Sequence, residues 1–108
     1  MGAVGEVTIA PLRLEDFDAW LPLWQGYLTF YKSEVAEATT RVTFSRFLDP
    51  NQPMFAAVAW RGAEAIGIVH WIFHRSCWTT TDYCYLQDLF VQPSVRKSGA
   101  GEALIRHV

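Results

Sequence analysis

The chain is short of cysteine, has no excess of either charge, and lacks any long hydrophobic run. Cys77 and Cys84 are the two cysteines, too few to complete a structural zinc site. They flank residues 78–83, a turn-like segment across which a disulfide is geometrically conceivable. We read them instead as reduced, partly buried thiols of a cytoplasmic protein. Nine Lys and Arg against eleven Asp and Glu leave a net charge of −2, so the basic surface of a nucleic-acid binder is missing. No apolar stretch approaches the ~20 residues that span a bilayer, so no membrane partner is expected. Met1-Gly2-Ala3-Val4-Gly5-Glu6-Val7 puts no basic segment before an apolar run, and no signal peptide is expected. Glu6 stands where N-myristoylation requires Ser or Thr. Repeats, low-complexity tracts and linkers are also absent, so residues 1–108 read as one domain.

What the chain does have is apolar and aromatic. Hydrophobic types make up 51%, with five Trp, seven Phe and four Tyr, a globular balance. Residues 7–12 alternate weakly and predict a first strand. Phe17, Trp20, Leu21, Trp24, Tyr27, Leu28 and Tyr31 then recur at steps of three and four, one apolar helix face. Asp16 suits the N-cap, Glu15 and Asp18 suit the positive helix end, and Pro22 predicts a kink or a split. Most of the stripe reads as core; Tyr27 and Tyr31, towards the far end, are candidates to line a cleft. Thr39 or Thr40 is expected to cap a second helix through Arg41, Val42, Phe44, Phe47 and Leu48, closed by Asp49-Pro50. Strands follow at 54–60 and 65–74 around a tight turn at 61–64, then a third at about 82–91. A helix opens over 99–108. The order is β-α-α-β-β-β-α, an α+β chain with a mostly antiparallel sheet.

Three groups of residues bear on chemistry. His70 and His74 are helically spaced but lie in a strand-like run, where they share a face about 13 Å apart. That is too far for one ion, so no metal is expected. Each reads as a polar residue on a half-exposed sheet, the alternative being a cleft-facing role. Gln87 and Asp88 interrupt the apolar run Tyr85-Leu86-Gln87-Asp88-Leu89-Phe90-Val91. Adjacent strand residues point to opposite faces, so at least one enters the interior or a cleft. Two readings stand side by side: a bulge with polar neighbours, and a pocket carboxylate, Asp88, that holds an amine or relays a proton. Last, Arg96-Lys97-Ser98-Gly99-Ala100-Gly101 links a strand to a new helix. Two glycines permit close backbone approach, and the helix N–H groups favour an anion such as a pyrophosphate. The spacing is neither that of a P-loop nor that of a dinucleotide fingerprint.

The string Tyr85 to Pro93, followed by Arg96-Lys97-Ser98-Gly99-Ala100-Gly101, resembles the acetyl-CoA motif of the GNAT N-acetyltransferases. The element order is similar to theirs along the whole chain. Tyr27-Leu28-Thr29-Phe30-Tyr31 and the fourth-strand sequence resemble the branch of spermidine/spermine and thialysine acetyltransferases. The resemblance implies an acyl-CoA N-acyltransferase fold and direct transfer of acetyl from acetyl-CoA to a primary amine on a polyamine, amino acid or lysine-like acceptor. It implies that Leu89, Phe90 and Val91 offer backbone groups to the pantetheine arm. Arg96, Lys97, Ser98, Gly99, Ala100, Gly101 and Glu102 would wrap the pyrophosphate with main-chain N–H groups. Tyr31 and Tyr27 would line the acceptor pocket, with Gln87 and Asp88 near the amine as candidate catalytic groups. Gln87 stands where this branch carries a glutamate, and Lys97 where the family usually has glycine.

Family members continue past this helix into a fifth strand and further elements, which carry the tyrosine that protonates the leaving thiolate. A chain ending at Val108 is therefore expected to be a C-terminally truncated member holding part of the cofactor groove. It is expected to be inactive or weakly active unless a partner chain supplies the missing edge, and its last strand to favour a homodimer. The competing readings are a non-catalytic CoA-binding module and a strand-pairing interaction module.

Overall fold

The structure, a computed structural model, describes residues 6–108 apart from the side chains of Arg96 and Lys97. The leader and lipidation readings at Met1 to Gly5, and any role of those two cationic side chains, lie outside the described residues. Strand β1 (Thr8–Pro11) leads through a 3-10 turn at Leu14–Asp16 into helix α1 (Phe17–Phe30), then α2 (Glu37–Phe47). Strands β2 (Met54–Arg61), β3 (Glu64–His74) and β4 (Tyr83–Val91) follow, and a 3-10 segment at Pro93–Ser98 leads into α3 (Ala100–His107). The four strands form one antiparallel sheet in the order β1-β2-β3-β4.

Strand alternation assigns each helix its face. Ala56, Val58, Ile68 and Phe90 point to one side and pack with Leu12, Trp20, Leu23, Trp24 and Phe44 beneath α1 and α2. Ala57, Ala59, Ile66, Val69 and Val91 point to the other, against Ala100 and Leu104 of α3. Two glycines set close approaches. A Cβ on Gly67 of β3 would meet Leu104 Cδ1 and the Phe90 carbonyl oxygen at 3.1 Å, so α3 lies almost on the strand. A Cβ on Gly26 of α1 would meet the Phe90 ring at 2.9 Å. The β2–β3 turn needs Gly62, whose φ is 63°.

Several local expectations are corrected. Asp16 is the N-cap residue of α1, as expected, but makes no side-chain capping bond to it; its carboxylate accepts from the Arg13 N–H at 2.9 Å and closes the 3-10 turn instead. Pro22 does not split α1, which runs through it. Its missing N–H orphans one carbonyl four residues back, at Asp18, where both residues are exposed and water can serve. The N-cap of α2 is Ala36, not Thr39 or Thr40. Thr40 is buried inside the helix, where its hydroxyl accepts the Trp24 indole N–H at 3.1 Å. The last helix begins at Ala100, with Gly99 as its cap. Cys77 and Cys84 are free thiols, but exposed and not partly buried, since they lie at the solvent-facing end of β4 and in the loop before it.

Candidate active site

The polar interruption of β4 is both a bulge and a buried carboxylate. His70 of β3 stands opposite Asp88, but the next residue, Trp71, stands opposite Leu86, leaving Gln87 as the extra residue. Gln87 is exposed, while Asp88 is 9% exposed on the face beneath α1. There Asp88 Oδ2 lies 2.9 Å from His70 Nδ1, and the Tyr27 hydroxyl lies close to the carboxylate. Burial is the main cause of a raised Tyr27 pKa, aided by the hydrogen bond to Asp88 and by its negative charge. Tyr27 therefore remains a donor across ordinary pH.

Helical periodicity carries the aromatic stripe from the core to this site. Trp20 and Trp24 stack at 5.9 Å, Trp24 and Tyr27 at 5.5 Å, and Tyr27 and Tyr31 meet at 4.9 Å. Tyr31 is 58% exposed, so the stripe ends in solvent. Beside it lies a groove of about 330 Å³ lined by Phe30, Tyr31, Leu89, Phe90, Val91 and Gly101. It follows β4, the last strand in the sheet order, and touches α1 and the start of α3.

At the α3 end, Gly99 adopts φ 87°, a conformation side chains rarely take. Added Cβ atoms would meet nothing within 4 Å at Gly99 and only Val91 Cγ2, at 3.8 Å, at Gly101. The backbone here is open to close approach. The Ala100 N–H donates to Ser98 Oγ at 3.3 Å. Ala100 is buried, and the Glu102 carboxylate pairs with Arg106 at 3.1 Å along the helix. The main chain at Arg96 and Lys97 lies within the 3-10 segment.

The groove thus joins Tyr31 with Leu89, Phe90, Val91 and Gly101, and Tyr27 with Asp88 adjoins it. Gln87, exposed at the bulge, and Glu102, paired along α3, are not among the groove's lining residues. His74 is exposed, with Nδ1 2.9 Å from the Arg75 carbonyl oxygen. His70 departs from the half-exposed expectation, since it is 1% exposed and bonded at both ring nitrogens. The signal was available: His70 shares strand parity with the buried Ile68, beneath the helix that carries Trp20. No group of three or more His, Cys, Asp or Glu among the described residues could hold a metal ion. No described helix is long and apolar enough to cross a membrane.

Residues 17–108 match the model of the Acetyltransferase (GNAT) family. The D-amino-acid N-acetyltransferase HPA3 of Saccharomyces cerevisiae is 31% identical over 104 residues, covering 94% of this chain. The chain spans 65% of that relative's length. Among solved structures, AAC(6')-Iy in complex with the bisubstrate analogue CoA-S-monomethyl-acetylneamine superposes with a TM-score of 0.79 at 16% identity, over 94% of this chain and 68% of that one. The aminoglycoside antibiotic 6'-N-acetyltransferase AAC(6')-IG of Acinetobacter haemolyticus gives 0.75 at 21% identity, over 93% and 67%. At these identities the two structures speak for the fold, and the family match speaks for descent. The chain belongs to the GNAT acetyltransferase family and has its acyl-CoA N-acyltransferase fold.

Proposed function

We propose that this chain forms the donor groove and one wall of the acceptor pocket of an acetyl-CoA-dependent N-acetyltransferase acting on primary amines. The observation that carries the reading is the meeting of two features at Tyr31. The apolar groove along Leu89, Phe90 and Val91 ends there, and the Tyr27–Asp88 pair begins one helical turn away. The groove suits acetyl-CoA: its walls are apolar where a pantetheine arm would lie, and the backbone at Gly99 and Gly101 is bare where a pyrophosphate would approach.

Leu89, Phe90 and Val91 would hold the arm through backbone groups, and main-chain N–H groups from Arg96 to Glu102 would hold the pyrophosphate. Acetyl-CoA supplies a thioester: the amine nitrogen forms the new C–N bond, the C–S bond breaks, and the thiol leaves with one amine proton. Asp88 would hold the acceptor as its ammonium, which must lose a proton to solvent before attack. Tyr27 and Tyr31 would flank it, and Gln87 offers a neutral amide beside the carboxylate. The name of the yeast relative supports amino acids as acceptors beside polyamines and lysine-like amines. The place of β4 at the end of the sheet order supports a homodimer, which sedimentation tests.

Calorimetric titration with acetyl-CoA, followed by thiol release with spermidine, thialysine, a lysine peptide and D-amino acids, tests the reading. Asp88→Asn should raise the acceptor KM by about 10- to 100-fold, the worth of a hydrogen bond to a charge. The acetyl-CoA Kd should not change. Failure to bind acetyl-CoA would overturn the reading, and binding without thiol release from any amine would leave a CoA-binding module.

A further inference from the structure

A buried histidine bonded to a carboxylate has the composition of a catalytic base, and His70–Asp88 has it, with Nδ1 to Oδ2 at 2.9 Å. The surroundings reverse the roles. Trp20 Nε1 lies 3.0 Å from His70 Nε2. An indole nitrogen only donates, so Nε2 must carry the lone pair and the ring proton must sit on Nδ1. From there it is donated to Asp88. A proton on Nε2 would point at the indole N–H. His70 is also walled in by the rings of Phe47, Trp24 and Trp20, with centroids 4.5, 5.5 and 6.0 Å away. A general base needs an open lone pair within reach of the proton it takes. The lone pair of His70 is already taken by the indole N–H, and the rings around it deny it the reach.

We propose that His70 is a positioning residue for Asp88: Trp20 locks it in the Nδ1–H tautomer, and the N–H it donates aims the carboxylate at the acceptor ammonium. A carboxylate accepts about four hydrogen bonds. His70 takes one place from within the protein and the Tyr27 hydroxyl lies beside the carboxylate, which leaves capacity for a cationic ligand and opposes rotation of the group. The catalytic consequence rests on the acyl-transfer reading of the site; the hydrogen-bond assignment does not.

Two measurements separate these levels. Nitrogen-15 NMR of the histidine rings in the unmutated full-length protein should show His70 protonated at Nδ1 and bare at Nε2. An Nε2–H tautomer or an imidazolium would overturn the proposal whether or not the protein transfers acetyl groups. The second compares His70→Asn, which restores an N–H near the Nδ1 position, with His70→Gln and His70→Leu, which do not. The acceptor KM should rise about tenfold or more in the Gln and Leu variants and be largely rescued in Asn, with the acetyl-CoA Kd constant throughout. A role in packing alone predicts the opposite order, because Asn leaves the largest void; that order would refute positioning. If the unmutated protein acetylates no amine, the proposed function falls and the tautomer still decides this inference.

Discussion

Gly26→Ala sets helix propensity against packing at the crossing of α1 and β4. Gly26 lies within α1 and is not among the positive-φ residues, so an alanine there gains about 1 kcal/mol of helix propensity. Against this, the added methyl would lie 2.9 Å from Phe90 Cε2 and Cζ. Carbon contacts prefer about 3.5–4.0 Å, so the ring must withdraw by roughly 0.6–1.1 Å. Phe90 is 8% exposed, and such overpacking costs about 1–3 kcal/mol. Packing wins: the variant should be about 1 kcal/mol less stable, read as a lower urea midpoint at unchanged slope. Phe90 lines the groove, so its displacement should also weaken acetyl-CoA binding in calorimetry. Gly101→Ala is the control. Its methyl meets only Val91 at 3.8 Å, so it should be neutral to stabilising by up to about 1 kcal/mol. A Gly26→Ala protein more stable than its parent, with unchanged affinity, would refute the close crossing of helix and strand.

Thr40→Val keeps the side-chain shape but removes the acceptor of the buried Trp24 indole N–H, so it should cost about 1–3 kcal/mol in denaturant unfolding. Loss below about 0.5 kcal/mol would mean that the indole finds water or another partner. Tyr27 makes stability depend on alkaline pH. Its folded pKa lies above the ordinary 10.0, so its contribution is complete below pH 10 and is lost as pH rises through the folded value. Ultraviolet titration should show a tyrosine ionising well above pH 10 that is absent from Tyr27→Phe. Tyr27→Phe should flatten the fall in stability above pH 10; an unchanged profile would show that Tyr27 does not cause it.

The sheet and helices are legible because their signals are periodic. The steps of three and four from Phe17 to Tyr31 need nothing beyond a helix, and the observed α1 follows them through Pro22. The order β2-β3-β4 is legible because a tight turn and a short loop join consecutive antiparallel strands. What is not legible depends on partners far away in the chain. Thr40 looks like a cap in sequence, but the Trp24 indole 16 residues earlier decides its place. His70 looks like a surface polar residue until Trp20, 50 residues earlier, is set against it. Gln87 and Asp88 pose an undecidable alternative in one dimension. A bulge resolves it by giving each residue a different environment, so that both readings describe part of the result.

The line from Trp20 through His70 and Asp88 to Tyr27 is a costly thing to place among aromatic rings. Each of these polar groups must be satisfied, and among the described residues no buried side-chain nitrogen or oxygen lacks a partner. Well-packed apolar residues in place of such networks are often neutral or stabilising, so stability alone gives little reason for a histidine in this core. The line is also asymmetric. Its inner end is a donor that can only donate, at Trp20, and its outer end is a carboxylate beside the half-buried Tyr27, which meets the groove-lining Tyr31. A network that only braced the core would have no need to end there. In the function proposed above, the hydrogen bonds from indole to imidazole to carboxylate would hold the buried Asp88 carboxylate in one orientation towards an ammonium. Replacing Trp20 with Phe should therefore leave the Nδ1–H tautomer in place, still held by Asp88, while Nε2 loses its donor; ring nitrogen NMR would then show a shifted Nε2 resonance beside an unchanged Nδ1–H, and a switch of tautomer would refute the part given to Asp88.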